Sequence, residues 1–383
     1  MRIAYVSTDP GIAVFGRKGA SVHVQAVVTE LVRAGHEVHL LTPRPEGNPI
    51  AGVTVHRLPA IGKGDAAARE RRAQASDAAV AAELTAIAPD LVYERYALWG
   101  RTATRWAATH GIRSVLEVNA PLVREQRRFR ELVDVRHAEA VACSALSHAD
   151  TVVCVSEPVG DWARATGARP GTVLVEPNGV DPARITVAPG PVAEADSAAF
   201  TVGFVGTLKP WHGLDTLVAA LEPLMRADDS WRLLLVGDGP LADDLGSRLA
   251  VAGLSDRAEL TGAVAPAEVT AQLHRMDVAC APYPGSGSDY FSPLKVYEYL
   301  AAGLPVVASA VGQLLAALDH GRLGRLVRPG DPAALSEALV DLRGDRDERA
   351  RLRRLGPEAV LASHTWQAVV ERVLAHADRA RAA

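Results

Sequence analysis

The chain has 383 residues, of which 48% are hydrophobic and 22% are charged, and its formal net charge is −4 at pH 7. This length suits two domains of about 190 residues each, and this balance is typical of folded globular proteins rather than disordered or fibrous ones. The negative charge and the aromatic content of 5% give no basic surface interleaved with stacking aromatics, so no nucleic-acid partner is expected.

The cysteines and the first residues of the chain indicate in which cellular compartment the protein is expected. Cys143, Cys154 and Cys280 lie far apart and lack the spacing of a zinc site or a disulfide framework, which favours a reducing cytoplasm. The chain begins directly with a strand-like run rather than a signal peptide, and no uninterrupted apolar stretch reaches about 18 residues. We therefore expect a cytoplasmic protein without a transmembrane segment and without a metal site.

In the first half, short strand-like runs alternate with longer helical patterns. The run "RIAYVS" is followed by a predicted helix from Ser21 to Ala34, then by "EVHLLT", and later by "RSVLEV" and "TVVCVS". This alternation is the signature of parallel βαβ units. The sequence therefore predicts an α/β domain built on a parallel sheet.

The alternation starts again after residues 187–199, which are rich in alanine, proline and glycine and predict a surface connection. The runs "FTVGFVG", "RLLLVG", "AELTG", "VACAPY" and "PVVAS" then predict a second doubly wound domain. Apolar residues from Thr365 to Ala380 recur at helical spacing, which predicts a final helix.

Residues 291–307, "FSPLKVYEYLAAGLPVV", predict a helix of about three turns with Ser292 as N-cap and Pro293 at the first position. Lys295 and Glu298 share one face, and Lys295 lies in the first turn, where the helix dipole disfavours a cation. A bound phosphate would compensate this lysine, and Glu298 would then accept hydrogen bonds from ribose hydroxyls. The alternative is a weak surface pair of Lys295 and Glu298.

Three glycine-containing loops follow predicted strands or precede predicted helices. Residues 203–213 carry Lys209, residues 233–241 contain a Gly-Asp-Gly-Pro turn, and residues 11–20 place Gly19 before the first helix. Each loop is also ordinary turn chemistry in an α/β protein. The first domain has no tight G-x-G-x-x-G string, which argues against a dehydrogenase, and no phosphate-binding P-loop string is present.

Taken together, "GFVGTLKPWHG", "VGDGP", "SPLKVYEYLAAGLPVVAS" and "PNGVD" resemble retaining glycosyltransferases of family 4, and "GASVHV", "GHEVHLLT" and "VVCVSEPV" extend the resemblance over nearly the whole chain. The resemblance implies the GT-B fold, an α/β architecture of two facing Rossmann-like domains with an interdomain cleft. It implies an acceptor-side domain at 1–180, a donor domain at 181–363, and a final helix at 364–383 that packs back on the first domain.

The same resemblance implies the donor site. Lys295 and Lys209 would neutralise the diphosphate, Glu298 would bind ribose, and backbone near residues 261–264 would contact the base. The full set of expected donor-binding residues is Gly19, Gly206, Thr207, Gly237, Asp238, Gly262, Val264, Asp289, Tyr290, Ser292, Pro293, Leu294 and Glu298.

The chain departs from the family pattern in three places. Thr207 and His212 stand where many members have Gly-Arg followed later by Lys-Gly, which leaves Lys209 as the expected cation of that loop. Tyr290, beside Asp289, stands where many members have a glutamate that touches the donor sugar. Glu117 and Asn119 stand at a strand end where relatives often have a histidine, and both are candidates for the chemistry. Asn119 cannot act as a base, whereas Glu117 either acts as one or holds Arg95 in a buried structural pair.

The sequence therefore predicts transfer of a sugar from a nucleoside diphosphate, such as a UDP- or GDP-sugar, to a small-molecule, glycan or lipid-linked acceptor. Retention of the anomeric configuration is expected, without a cofactor or a metal, since no Asp-x-Asp string is placed to hold Mg²⁺. The alternatives are a nucleotide-sugar 2-epimerase and a non-catalytic sugar-nucleotide-binding protein. Arginine clusters at 69–72, 124–130 and 346–355 are more typical of solvated faces than of a membrane contact.

Overall fold

The computed structural model describes residues 1–190, 199–285 and 292–382. Within these residues the chain forms two compact units. The first contains residues 1–178, Ser292 and residues 366–382, and the second contains 179–190, 199–285 and 293–365. The division falls two residues before the predicted boundary at 180/181.

The first unit is built on a seven-stranded, all-parallel sheet with the order β3-β2-β1-β4-β5-β6-β7. Its strands are β1 (Arg2–Ser7), β2 (Glu37–Thr42), β3 (Val53–Arg57), β4 (Leu91–Arg95), β5 (Arg113–Val118), β6 (Thr151–Cys154) and β7 (Val173–Val175). Its helices are α1 (Gly19–Arg33), α2 (Ala66–Ile87), α3 (Thr102–His110), α4 (Leu122–Phe129), α5 (Val135–His148) and α6 (Glu157–Thr166).

The second unit repeats the plan with six parallel strands in the order β10-β9-β8-β11-β12-β13. Its strands are β8 (Phe200–Val205), β9 (Trp231–Val236), β10 (Ala258–Leu260), β11 (Val278–Ala281), β12 (Val306–Ser309) and β13 (Arg325–Val327). Its helices are α7 (Leu214–Ala227), α8 (Ala242–Val251), α9 (Val269–Leu273), α10 (Leu294–Ala301), α11 (Leu314–Ala317), α12 (Pro332–Gly344) and α13 (Arg346–Ser363). Short 3₁₀ turns include Pro210–His212 and Pro266–Glu268.

The last helix, α14 (Trp366–Ala382), belongs to the first unit. Trp366, Val370 and Val373 lie in the same apolar core as Val24 and Val28 of α1. The apolar stripe that predicted this helix is therefore the face that packs on α1. None of the helices in the part of the chain described here is long and apolar enough to cross a membrane.

In both sheets the strand order reverses beside the first strand, between β1 and β4 and between β8 and β11. Ligands of doubly wound sheets bind outside the carboxyl ends of the strands at such a reversal. The predicted α/β class with two Rossmann-like parallel-sheet units is confirmed. Each unit also has a defined place to search for a ligand.

Two predicted helix starts are wrong by one or two residues. Helix α1 begins at Gly19 rather than at Ser21, so Gly19 opens the helix instead of lying in the loop before it. Helix α10 begins at Leu294 and has eight residues, a little over two turns rather than three. Pro293 is its cap residue, because its ψ of 52° is not helical.

Candidate functional site

The glycine turns of the second unit follow three neighbouring strands, and the turn after β8 borders the reversal point of the sheet. Gly206 follows β8, Gly237 follows β9, and Gly262 lies just after β10; the Gly237 N–H donates to the Gly262 carbonyl at 3.1 Å. Gly237 has a φ of 133°, and a Cβ there would lie 2.1 Å from the Gly206 carbonyl oxygen. Only glycine fits, so the sequence of the turn sets this close approach of backbone segments.

Lys295 reaches this set of turns from the first turn of α10. Its Nζ lies 4.1 Å from the ring centroid of Phe204 and 5.2 Å from that of Tyr283. A Cβ on Gly206 would lie 3.3 Å from the same Nζ. The Nζ is buried and has no hydrogen-bond partner within the described ranges. Burial lowers the pKa of Lys295 to about 7, although the charge of Glu298 opposes the shift.

This arrangement contradicts the alternative of a surface Lys–Glu pair. The Lys295 ammonium is held between aromatic faces, where cation–π attraction replaces part of its hydration. Glu298 instead pairs with Arg184, whose Nη2 lies 2.5 Å from Oε1. A buried ammonium without an anionic partner is costly, and an anion bound beside it would restore its charge.

His212 lies close enough to Lys295 and Lys209 for both of their charges to act on it. Its Nδ1 donates to the Thr207 carbonyl at 2.6 Å, and its ring packs edge-on against Tyr283. Burial, together with the charges of Lys295 and Lys209, lowers the pKa of His212 to about 3. The imidazole is therefore neutral at pH 7, with Nε2 left as a hydrogen-bond acceptor.

Lys209 occupies the rim of the same loop. Its Nζ lies 4.6 Å from the ring centroid of Trp211, which is half exposed. This loop is hydrogen-bonded to the loop after β9, because Leu208 donates its N–H to the Asp238 carbonyl at 3.0 Å. Thr207, Lys209 and Asp238, all predicted for the donor site, are thus in neighbouring loops.

The start of α10 differs from the prediction in its capping. The Ser292 hydroxyl does not cap the helix; it accepts the N–H of Asn178 at 3.0 Å. Pro293 has no N–H, so the first helical N–H groups are those of Leu294 and Lys295. Val264 lies after Gly262 in the loop that leads to α9, and Asp289 and Tyr290 lie outside the described residues.

In the first unit, Glu117 is the centre of a buried polar cluster. Its carboxylate contacts His23 Nε2 at 2.7 Å, Arg95 Nη1 at 2.8 Å, the Tyr93 hydroxyl at 3.0 Å and Asn119 Nδ2 at 2.5 Å. Burial alone would raise the pKa of Glu117, but His23, Arg95 and Asn119 outweigh it and lower the pKa to about 2. So weak a base is unsuited to proton abstraction, and the geometry favours the structural interpretation for Glu117 and Asn119.

The His23 contact was missed, since nothing in the local pattern of α1 points to a strand-end carboxylate. Burial lowers the pKa of His23, which leaves the ring neutral at pH 7 even beside Glu117. Its ring also packs edge-on against Trp366 of α14, with centroids 4.7 Å apart. His23 therefore connects α1, β5 and α14.

A cavity of about 380 Å³ opens at the carboxyl ends of β1 and β4, the reversal point of the first sheet. Trp99, Phe129 and Glu70 are among its lining residues, and so is Thr8. The Thr8 hydroxyl is buried and has no hydrogen-bond partner in the described part of the chain. Across residues 1–190, 199–285 and 292–382, no three His, Cys, Asp or Glu side chains are grouped to hold a metal.

Solved structures first establish the class. The chain is similar to sucrose-phosphate synthase (tll1590) from Thermosynechococcus elongatus, with a TM-score of 0.75, 22% identity, and coverage of 100% of this chain and 99% of that one. With two Rossmann-like units and a final helix assigned to the first, the protein has the GT-B fold.

Family models then define the family. Residues 17–184 match the model described as Glycosyltransferase Family 4, and residues 199–345 match that of Glycosyl transferases group 1. The chain belongs to glycosyltransferase family 4, as the sequence motifs predicted.

Two curated relatives show the range of the match. Phosphatidyl-myo-inositol mannosyltransferase of Mycobacterium leprae is 35% identical over 53% of this chain, and the match spans 53% of that protein, about half its length. D-inositol 3-phosphate glycosyltransferase of Corynebacterium efficiens is 28% identical over 97% of this chain and 94% of its own.

Proposed function

We propose that this protein is a retaining glycosyltransferase that takes a sugar from a nucleoside diphosphate donor and transfers it to a hydroxyl-bearing acceptor. One observation carries the donor half of the proposal: the buried ammonium of Lys295, which has no hydrogen-bond partner among the described residues, lies beside Gly206 in the turn after β8. A diphosphate is the anion that suits such a place, since the start of α10 offers the backbone N–H groups of Leu294 and Lys295 to phosphate oxygens.

The chemical demand of the reaction is stabilisation of the leaving group. As the bond between the anomeric carbon and the diphosphate oxygen breaks, negative charge grows on the diphosphate and the sugar becomes oxocarbenium-like. Lys295 and Lys209 would stabilise that charge without a metal ion, and the neutral His212 would add no competing charge. The donor anion would hold Lys295 protonated at pH values where the free protein loses that proton.

In the proposed mechanism the acceptor oxygen attacks the anomeric carbon from the side of the leaving group. The new bond to the acceptor forms as the bond to the diphosphate breaks, and the acceptor proton passes to the departing phosphate oxygen. No protein base is required, which agrees with the low basicity of Glu117. The anomeric configuration is retained.

For the acceptor we propose the cavity of the first unit. Its volume of about 380 Å³ suits a single ring, and Trp99 and Thr8 among its lining residues would offer an aromatic face and a hydroxyl. The two curated relatives are described as acting on phosphatidyl-myo-inositol and on D-inositol 3-phosphate. Inositol-type cyclitols are therefore the first acceptor class to test.

The test is a screen of UDP- and GDP-sugars by mass spectrometry, with and without cyclitol acceptors and with chelator in parallel. We expect hydrolysis or transfer with one donor series, undiminished by chelator, and a product whose anomeric proton shows retention by NMR. Lys295→Met should lower kcat/KM at least about a hundredfold. Unchanged turnover in that folded variant would refute the proposal.

The screen also separates the alternatives. A 2-epimerase would convert the sugar nucleotide to its epimer with no acceptor present. A non-catalytic binding protein would bind UDP or GDP tightly yet neither hydrolyse nor transfer any donor across the panel.

A further inference from the structure

Arg184 and Glu298 form an ion pair inside the second unit, although they lie 114 residues apart in the sequence. The Nη2 atom of Arg184 is 2.5 Å from Oε1 of Glu298, and the two side chains retain 25% and 13% exposure. Oε2 of Glu298 has no hydrogen-bond partner within residues 1–190, 199–285 and 292–382. One carboxylate oxygen is thus held by the guanidinium and the other is free.

Arg184 is itself fixed by the turn in which it lies. Its N–H and that of Ile185 donate to the Asp181 carbonyl at 3.1 and 2.9 Å, which closes the turn after "PNGVD". The Arg184 carbonyl accepts the Thr270 hydroxyl at 2.5 Å, and its Nη1 donates to the Pro266 carbonyl at 3.4 Å. The backbone of Arg184 is therefore bound to α9, and its guanidinium is bound to the segment between β10 and α9.

This segment follows the loop of Gly262 and Val264, which the family resemblance places near the base of the donor. Glu298 lies one turn after Lys295 on α10, at the place expected for ribose. Arg184 connects this segment to α10, because its side chain contacts both the carbonyl of Pro266 and the carboxylate of Glu298. One guanidinium therefore links the segment that follows the expected base-binding loop to the carboxylate expected to bind ribose.

We propose that Arg184 is a positioning residue for donor recognition: it orients Glu298 so that the free carboxylate oxygen accepts the ribose hydroxyls. This inference rests on the proposed function, since it requires that the second unit binds a nucleoside diphosphate. A carboxylate fixed by a charged partner does not have to be ordered when the ligand binds, so the ribose contact is formed at lower entropic cost. Without Arg184 the side chain of Glu298 gains rotational freedom, and its preference for ribose weakens.

The experiment compares ribose and 2′-deoxyribose ligands. Binding of UDP and 2′-deoxy-UDP, and of GDP and 2′-deoxy-GDP, is measured by calorimetry for the wild type, Arg184→Met, Arg184→Lys and Glu298→Ala. We expect the wild type to prefer the ribose form of its nucleotide about tenfold or more, as a hydrogen bond to a charged group gives. Arg184→Met and Glu298→Ala should both reduce this ratio to within about threefold, and Arg184→Lys should keep part of it.

Arg257→Met is a matched control in the same unit. Arg257 has a similar side-chain exposure of 22% and also pairs with a carboxylate, that of Asp229, but it precedes β10 and so lies at the amino end of the sheet. This variant should keep the wild-type ratio. Circular dichroism and the Tm of each variant establish that it is folded.

The double variant Arg184→Met/Glu298→Ala completes the test. If Arg184 acts through Glu298, the double variant should lose no more discrimination than Glu298→Ala alone. A wild-type ratio in folded Arg184→Met, or additive losses in the double variant, would overturn the positioning role while leaving the proposed function intact. A wild type that binds neither nucleotide would overturn both.

Discussion

Lys295→Met is the substitution for which the structure makes its strongest energetic prediction. The Nζ atom of Lys295 is buried between Phe204 and Tyr283, and burial lowers its pKa from 10.5 to about 7. Methionine has a similar length and no charge, so it fills the same space against the aromatic rings. The variant should therefore lose donor turnover and gain stability, because a cation placed for a ligand is a cost to the free protein.

The expected increase in the stability of Lys295→Met follows from the difference in the pKa of Lys295 between the folded and unfolded states. Between pH 7 and 10.5 the unfolded chain binds a proton at Lys295 that the folded chain has released, so this group makes stability rise with pH across that window. At 1.36 kcal/mol per pH unit, the folded protein is penalised by at most about 4 kcal/mol at pH 7. Because the residue as a whole is half-buried, partial solvation reduces the penalty below this limit.

The assay is urea unfolding of the wild type and Lys295→Met from pH 6.5 to 10. We expect the variant to be more stable at neutral pH, and its advantage to shrink steadily towards pH 10. Lys209→Met is the matched control, since Lys209 lies at the rim over Trp211, and it should show no such trend. The chain has four lysines, Lys18, Lys63, Lys209 and Lys295, so lysine-selective ¹³C labelling can follow the Lys295 titration directly by NMR.

Two results would refute this reasoning. One is a stability difference between wild type and Lys295→Met that does not change with pH, which would mean that only packing was altered. The other is an NMR titration of Lys295 near pH 10 in the free protein, which would mean that its ammonium is hydrated.

Two further predictions concern the first unit. Glu94 is fully buried, and its burial, together with the charge of Asp77, raises its pKa well above 4.5. The folded state therefore keeps a proton that the unfolded state loses above about pH 4.5. This group makes the free energy of unfolding fall as the pH rises above that value. Glu94→Gln should therefore gain stability over the wild type progressively from pH 5 to 8 in thermal unfolding, and a pH-independent difference would contradict this. Thr8→Val removes a buried hydroxyl, which has no hydrogen-bond partner among the described residues, from a residue that lines the cavity. It should raise the acceptor KM severalfold while donor hydrolysis stays unchanged and the Tm does not fall, whereas an unchanged acceptor KM would remove Thr8 from the acceptor site.

Much of the fold was predictable because it depends on local pattern. Alternating apolar runs and helical spacings identify strands and helices, and parallel strands with buried faces follow from the continuous apolar character of runs such as "RIAYVS". Gly237 shows how part of a site can be predicted from the sequence, since a turn with a positive φ favours glycine. The placing of Lys295 and Glu298 on one helix also follows from spacing alone.

Tertiary structure decided what those side chains do. The sequence offered Lys295 and Glu298 as a surface pair or as a ligand site, and burial of Nζ against Phe204 and Tyr283 excluded the first. Arg184, the charge partner of Glu298, lies 114 residues away in the sequence. The contact between Glu117 and His23 of α1 was not predicted. Helical and strand periodicity shows which way a side chain points along its own element, whereas its burial, its charge partner and therefore its pKa depend on elements that only folding brings near.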